Sequence, residues 1–309
     1  MTERAAMFDR IIVVDWSARS TPATGRDSIW VACVDQRDSS HDRRATATWN
    51  PPTRRVAVDL LADLVVTSSG RTLVTIDASV GYPSGTADAL GLGACGVGGT
   101  PPWRRLWTEL SESIIDDERN RNNRFVIASE WNRRIAGRPG PFWGCPPAAR
   151  TETLTSTKPP HPAERIPEWR ACERALRSAG RRPFSCWQLL GVGSVASQSL
   201  LAIVALDRLH RRLASRDVIV DVWPLTTGLD RPSGRVTVAE CWPSLFVQGA
   251  GADDDRVRDE RQVVETAEVL RERDLDGALA RWFAPGLPDD VATAAVDEEG
   301  WILGVDSAG

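Results

Sequence analysis

The feature that most constrains this chain is a short apolar run near the N-terminus that ends in an acidic residue. Four β-favouring aliphatic residues at positions 11–14 are followed directly by Asp15. A run that is apolar on both faces suits a central strand of a sheet covered by helices. Such sheets bind ligands at the carboxyl ends of their strands. We therefore expect Asp15 to face a binding crevice, although a single strand-end aspartate can equally cap a turn.

The elements that follow predict a sheet built around this strand. Residues 28–34 resume a β pattern after a polar loop, as a returning hairpin strand does, and 44–49 can add a short third strand. A helix is predicted to begin after a Thr53 cap. Its apolar stripe consists of Val56, Leu60 and Leu64, with Ala57, Leu61 and Val65 beside them. The strand 72–76 comes next and again ends in a carboxylate, Asp77.

The second half of the chain adds a core helix, two strands and further helices. Residues 195–213 form the most apolar helical stretch, and strands are predicted at 218–222 and at 235–240, where Glu240 ends the second. A helix over 256–270 follows three consecutive aspartates, and the tail 298–305 is predicted to be an edge strand.

These elements predict a single α/β domain over residues 1–309. We expect a mixed five-stranded sheet, with three antiparallel strands first and helices on both faces. Residues 84–188 are rich in glycine, proline and irregular stretches. We interpret them as an inserted, largely helical or irregular subdomain that covers the active edge of the sheet.

Composition narrows the kind of site that this chain can build. The six cysteines form no C-x-x-C pair, and the three histidines lie far apart in the sequence. This favours reduced, buried thiols over a disulfide framework or a zinc site. Any metal must then be held by carboxylates, which favours Mg²⁺ or Mn²⁺. We find neither a transmembrane run nor a signal-peptide core and expect a cytoplasmic protein.

Three short segments carry a resemblance to a known family. They are Val14-Asp15-Trp16-Ser17, Ile76-Asp77-Ala78-Ser79-Val80-Gly81-Tyr82-Pro83 and Ala239-Glu240-Cys241-Trp242-Pro243-Ser244-Leu245-Phe246. The chain resembles a family of uncharacterised bacterial proteins described as predicted ribonuclease H-like nucleases. The order strand, hairpin, strand, helix, strand is also that of the opening of a ribonuclease H-like fold.

The resemblance implies a nuclease in which clustered carboxylates hold two metal ions. Such hydrolysis needs three or four acids that converge within a few Å. Asp15 and Asp77 are the strand-end candidates, Glu240 comes from the third motif, and Asp259 or Asp255 stands at the start of a C-terminal helix. We expect Asp15, Asp77 and Asp259 to bind the metal. Acids at a helix start are also commonly capping residues, so that alternative stays open for Asp259.

Two further groups of residues are candidates for binding. Gly191, Gly193 and Ser194 precede the core helix and can seat a phosphate on free backbone amides, with Gln198 adding a side-chain hydrogen bond. Close helix packing explains the glycines equally well. The stretch 101–183 carries fifteen arginines and one lysine against ten acidic residues, although the whole chain has a net charge of −4.

This basic stretch predicts affinity for nucleic acid through four arginines, Arg104, Arg105, Arg133 and Arg134. A solvated surface with a coding bias towards arginine is the alternative. Two other functions remain open on the same fold. One is an actin-like or sugar-kinase-like phosphotransferase that uses ATP, and the other is a non-catalytic protein that binds a nucleotide or metabolite.

Overall fold

The computed structural model describes residues 6–36, 46–93, 99–247 and 256–306, and all elements named below lie in these ranges. The strands are β1 (Arg10–Asp15), β2 (Trp30–Asp35), β3 (Ala47–Trp49), β4 (Thr72–Ile76), β5 (Val220–Trp223) and β6 (Val236–Glu240). The helices are α1 (Arg54–Thr67), α2 (Thr86–Ala89), α3 (Pro102–Ser113), α4 (Arg124–Ala136), α5 (Ala171–Ser178), α6 (Val195–Ala214), α7 (Arg258–Leu275), α8 (Leu279–Trp282) and α9 (Asp289–Ala294).

The strands form one mixed sheet in the order β3-β2-β1-β4-β6-β5. The first three strands are antiparallel, and β1, β4, β6 and β5 run parallel. The predicted mixed α/β sheet is therefore confirmed. The predicted number of five strands is wrong, because the described residues form six. β6 is buried along its whole length and is paired on both sides, by β4 and by β5.

Helices cover both faces of this sheet. Along β1, Ile12 and Val14 pack into one apolar cluster that includes residues of α1 and α6. Ile11 and Val13 point to the opposite face and pack with residues of α7. This alternation is the period of two that a strand imposes on its side chains. It explains why positions 11–14 of β1 are all apolar.

The predicted insertion at 84–188 contributes α2 to α5 and the irregular chain between them. Trp103, Leu106 and Trp107 of α3 belong to the same apolar cluster as Ile12 and Val14 of β1. The indole nitrogen of Trp107 also donates a hydrogen bond to the carbonyl of Val80, at 2.8 Å. This segment therefore packs into the main core and borders the edge where the parallel strands end.

The C-terminal tail is not the edge strand predicted for 298–305. Residues Ala295–Glu299 form a π-helical turn, and Ile302 makes a single parallel bridge to Glu240. Glu298 and Glu299 are both buried. Glu298 accepts hydrogen bonds from the main-chain N–H groups of Gly85 and Ala87, each at 2.7 Å. Glu299 accepts hydrogen bonds from Ser84 and from the N–H of Ala171. Two consecutive buried acids that both bind main-chain N–H groups are incompatible with an alternating edge strand.

Gly81, in the turn after β4, lies directly against this tail. A Cβ atom at position 81 would come closer than 3.0 Å to main-chain atoms of Glu298 and Glu299. Main-chain atoms cannot rotate away as a side chain does, so Gly81→Ala should lower the free energy of unfolding by about 2 kcal/mol. Urea unfolding measures this loss. Gly93→Ala is the matched control, because no described atom lies within 4 Å of its Cβ position. Equal effects of the two substitutions would contradict the packing argument.

Candidate active site

Asp15 and Asp77 leave the sheet side by side. β1 and β4 are adjacent and parallel, with Val14 opposite Ile76. The main-chain N–H of Asp77 donates to the carbonyl of Val14 at 2.9 Å. The carboxyl ends of these two strands therefore meet at one edge of the sheet.

Neither of these carboxylates has a hydrogen-bond donor. Within the described ranges, no N–H or O–H group donates to the side-chain oxygens of Asp15 or Asp77, and no basic side chain forms an ion pair with them. Both side chains are only partly exposed. An ionised carboxylate removed from water costs free energy unless it is compensated. The fold thus leaves two adjacent acids for a ligand to satisfy.

Their environment disfavours the charged forms. Burial raises the pKa of Asp15 well above its usual range, and the nearby acids Asp77 and Asp259 raise it further, while Arg258 opposes them. Burial, with a smaller contribution from Glu240, raises the pKa of Asp77 to about 7. Groups whose pKa values are raised by burial and by other acids are typical of functional sites, although structural clusters show them too.

The raised pKa of Asp77 predicts a pH-dependent stability. An acid whose pKa rises from 3.8 to about 7 on folding stabilises the protein below pH 3.8 and loses that contribution as pH rises through 7. Without metal, Asp77→Asn should therefore melt close to the wild type at pH 4 and above it at pH 8. The full difference is at most about 4 kcal/mol, since one pKa unit corresponds to about 1.4 kcal/mol. A melting difference that does not change with pH would contradict this.

Asp259 lines the same cavity as Asp15 and Asp77, although it comes from the C-terminal part of the chain. It lies in the first turn of α7. One of its carboxylate oxygens accepts the main-chain N–H of Asp27 at 2.6 Å. Asp27 itself has a φ of 54°, which non-glycine residues rarely adopt. Asp259 thus fastens the β1–β2 loop to α7, whereas Asp255, the other candidate, lies outside the described residues.

These acids line a cavity of about 570 Å³ at the edge of the sheet. Its walls come from the ends of β1 and β4, the β1–β2 loop, α4, the start of α6 and the start of α7. The lining includes Asp15, Asp77, Asp259, Ser17, Arg124, Ser194, Ser197, Gln198 and Arg258. The volume is in the range of pockets that bind small molecules or single nucleotide units.

Arg124 gives this cavity a positive wall that the sequence analysis did not single out. Its side chain is buried, and its guanidinium donates to Ser197 Oγ at 2.8 Å and to Ser20 Oγ at 2.9 Å. It forms no ion pair with an acid among the described residues. Burial, and then the neighbouring Arg54, lowers its pKa to about 10. A buried arginine without a counter-ion is suited to bind an anion.

Gln198 lines the cavity, whereas the two loop glycines do not. The side-chain amide of Gln198 donates to the carbonyl of Trp16 at 2.8 Å, which fixes it beside the end of β1. Ser194 also lines the cavity, whereas Gly191 and Gly193 are not among its described lining residues. The N–H groups at positions 195 and 196 already donate to main-chain carbonyls, at 2.8 and 3.0 Å. These two amides are therefore not free to seat a phosphate.

Glu240 lies apart from the open cavity. It is buried at the end of β6, where the guanidinium of Arg170 donates a hydrogen bond to each of its two carboxylate oxygens, at 2.6 and 2.7 Å. The N–H of Val80 donates to the same carboxylate at 3.2 Å. The structure thus brings Asp15, Asp77 and Asp259 to one cavity and holds Glu240 in an ion pair behind Asp77. Arg170 was not predicted to be the partner of Glu240, because no local sequence pattern connects two residues that lie 70 positions apart.

The arginines predicted to bind nucleic acid lie on α3 and α4, and three of the four are paired with acids. The pairs are Arg105 with Asp88, Arg133 with Glu130 and Arg134 with Glu109. Arg104 lies over the ring of Trp103, 5.4 Å from its centroid. Much of this charge is thus used within the fold, and the role in nucleic-acid binding stays a prediction.

Three acids lining one cavity are not yet a formed metal centre. Among the described residues, no three His, Cys, Asp or Glu side chains are gathered closely enough to hold a metal ion. Asp15 and Asp77 form the pair at the sheet edge, and Asp259 is held by its bond to the β1–β2 loop. A cation bound to the pair would have to draw in Asp259 or complete its shell with water.

No family model, curated protein or solved structure matches this chain, so its site is interpreted from geometry alone. The resemblance to ribonuclease H-like nucleases stays a prediction. In the described part of the chain, no helix is both long and apolar enough to cross a membrane. The fold defines an α/β protein with a mixed six-stranded sheet, and the site defines an acidic edge that faces a buried arginine.

Proposed function

We propose that this protein is a divalent-metal-dependent phosphodiester hydrolase, a nuclease, whose active site is the cavity at the ends of β1 and β4. One observation carries the proposal. Asp15 and Asp77 are adjacent, partly buried carboxylates without a donor among the described residues. Maintaining such a pair costs folding free energy, and a bound cation removes that cost.

Mg²⁺ or Mn²⁺ suits this pair because hard cations prefer carboxylate oxygens. Asp15 and Asp77 would hold the ion, and Asp259 is the acid available to complete its ligands. Asp259 also contributes to the raised pKa of Asp15, so a cation here relieves repulsion among all three acids. When bound, the ion would neutralise phosphate charge and provide an acidified water.

The other walls of the cavity fit a phosphate group. Arg124 is the buried cation that can bind phosphate oxygens by charge-assisted hydrogen bonds. Arg258 is exposed at the opening, where it can attract an anionic substrate and partly offset the charge of Asp15. The metal-binding acids and the anion-binding arginines thus line one space, as phosphodiester hydrolysis requires.

Metal binding is the direct test of this proposal. Millimolar Mn²⁺ should raise the melting temperature of the wild-type protein by about 5 °C, because a ligand at 100 times its dissociation constant stabilises by about 2.7 kcal/mol. It should also support hydrolysis of bis(4-nitrophenyl) phosphate, a generic diester. Asp290→Asn, which changes an exposed acid in α9, should retain both effects. An unchanged melting temperature in Mn²⁺ would overturn the proposal.

Arg124 should control affinity for the substrate. Arg124→Met removes the buried charge, and we expect KM for the diester to rise about tenfold or more, since hydrogen bonds to charged groups contribute about 1.5–3 kcal/mol. Arg124→Lys should restore part of the affinity because it keeps a charge without the fork of donors. The exposed Arg121→Met, a change in a surface ion pair, is the control. A changed melting temperature with an unchanged KM would assign Arg124 to stability alone.

A further inference from the structure

A second, smaller cavity shares a wall with the proposed active site. Its volume is about 70 Å³, and Asp77 and Gln198 line both cavities. A ligand in contact with Asp77 can therefore extend from the larger space into the smaller one. The smaller cavity differs from its neighbour in charge, in the shape of its walls and in its unsatisfied groups.

Among the described residues, the smaller cavity offers no cation that is free to bind an anion. Its arginine, Arg170, donates two hydrogen bonds to Glu240 and one to Glu173 Oε1 at 3.0 Å. A further hydrogen bond from Arg170 reaches the carbonyl of Glu299, also at 3.0 Å. With Asp77 present as well, acids outnumber the basic group at this position. A phosphate would be repelled here, so the occupant must be uncharged or weakly basic.

The outer walls of the smaller cavity are flat and apolar. Phe184 and Trp242 line it, and Phe184 is 46% exposed, which is unusual for a phenylalanine in a folded domain. The Phe184 ring lies over Gly193, where a Cβ atom would come closer than 3.0 Å to it. Leu190, at 45%, and Val192, at 86%, are exposed in the same stretch of chain. An apolar rim beside a polar cavity marks a surface that gains from covering by a ligand.

The inner end of the smaller cavity offers a hydrogen bond. Ser79 is 2% exposed and lines this cavity, and its hydroxyl has no partner among the described residues. A hydroxyl at a cavity wall that bonds no other described residue can donate a hydrogen bond to a ligand atom or accept one from it. The size also restricts the ligand. One water needs about 10–15 Å³ of cavity volume. The cavity volume of about 70 Å³ therefore holds roughly five waters, which is about the space that one six-membered ring occupies.

We infer that the smaller cavity binds the base of a nucleotide whose phosphate lies in the larger cavity. The ring stacks on Phe184 and Trp242, its polar edge reaches Ser79 and Asp77, and Gln198 stands at the junction with the phosphate. This rests on the proposed function, and it specifies the substrate as a nucleotide unit recognised by its base. The neutral base enters the acidic, apolar space, and the anionic phosphate enters the space that contains Arg124.

Calorimetry with three probes tests this inference on the full chain in Mn²⁺. Cytidine 5′-monophosphate should bind at least about tenfold more tightly than ribose 5-phosphate, because stacking of one base on an aromatic side chain contributes about 1–3 kcal/mol. Phe184→Ala should reduce that ratio to about threefold or less. Ile115→Ala, which removes an exposed apolar side chain that lines neither cavity, should keep the wild-type ratio. Cytidine, the third probe, has no phosphate.

The outcomes separate this inference from the proposed function. Equal affinities of the wild type for cytidine 5′-monophosphate and ribose 5-phosphate would overturn the base site and leave the phosphate site intact. Binding of cytidine that Phe184→Ala abolishes, together with no binding of ribose 5-phosphate, would support the base site and contradict the phosphate site. If neither cytidine nor its monophosphate binds, the inference is wrong.

Discussion

Asp15→Asn should lower phosphodiester hydrolysis at least about a hundredfold and leave the metal-free protein as stable as the wild type or more stable. Asparagine keeps the shape of the side chain but removes the negative charge that a cation requires. In the folded protein, burial and three neighbouring acids, Asp77, Asp259 and Asp27, raise the pKa of Asp15. Its ionised form therefore costs free energy at neutral pH, and the substitution removes that cost. Loss of activity with unchanged or higher stability is the pattern expected of a functional residue.

Melting curves with and without Mn²⁺ distinguish this role from a structural one. We expect Asp15→Asn to lose most of the metal-dependent rise in melting temperature, while Asp290→Asn retains it. A structural role at the end of β1 predicts the opposite pattern, in which Asp15→Asn melts below the wild type in the absence of metal. Hydrolysis measured alongside melting reports on the larger cavity, which Asp15 lines. Phe184 lines only the smaller cavity, so its substitution reports on the proposed base site instead.

Local patterns in the sequence were sufficient to predict the sheet edge and its acids. The aliphatic run before Asp15 and the strand before Asp77 both lie in the centre of the sheet, where a strand must be apolar on both faces. The Thr53 cap is also confirmed, since its hydroxyl accepts the N–H of Val56 at 3.3 Å. The predicted antiparallel opening of the sheet follows from the same short-range signals.

The orientation of α1 shows where periodicity alone fails. Val56, Leu60 and Leu64 were predicted to form the apolar stripe of this helix. Val56 is nevertheless 45% exposed. The stripe beside it faces the core, since Ala57, Leu61 and Val65 are all buried. Two adjacent apolar stripes at the same spacing are equivalent in sequence. Packing against α6, which begins 128 residues after α1 ends, decides which stripe faces the core.

The remaining errors concern contacts between distant residues. Glu240 ends a strand as Asp15 does, so the sequence predicted a shared role, but its charge is paired with Arg170, the residue that precedes α5. Arg124 was one arginine among many in a basic stretch, and its burial beside the cavity depends on how α4 meets α6. The tail at 298–305 has strand-like composition, yet Glu298 binds the start of α2 and Glu299 binds Ser84 and the first residue of α5, Ala171. None of these pairings has a local sequence signal.

Arg170→Met should cost about 4 kcal/mol of the free energy of unfolding, because it removes the shared partner of two buried carboxylates. Arg170 is 1% exposed, and it binds Glu240 and Glu173, which are 4% and 2% exposed. Burial already raises the pKa of Glu173 while the arginine is present. Without it, the native state must either keep buried charges that lack a partner or take up protons. The loss should therefore be larger at pH 8 than at pH 5.

A double-mutant cycle shows whether the loss of stability comes from the Glu240 carboxylate that Arg170→Met leaves without its partner. Glu240→Gln alone should also destabilise the protein, since it breaks the paired hydrogen bonds with Arg170. Combined with Arg170→Met, however, it should recover part of the stability, because no carboxylate is then left unpaired at position 240. Arg174→Met, on the exposed face of the same helix, controls for the change in helix composition and should stay within about 0.5 kcal/mol of the wild type. If the Arg170 and Glu240 effects simply add, the pair contributes no coupling, and this wall of the smaller cavity depends on packing rather than on charge.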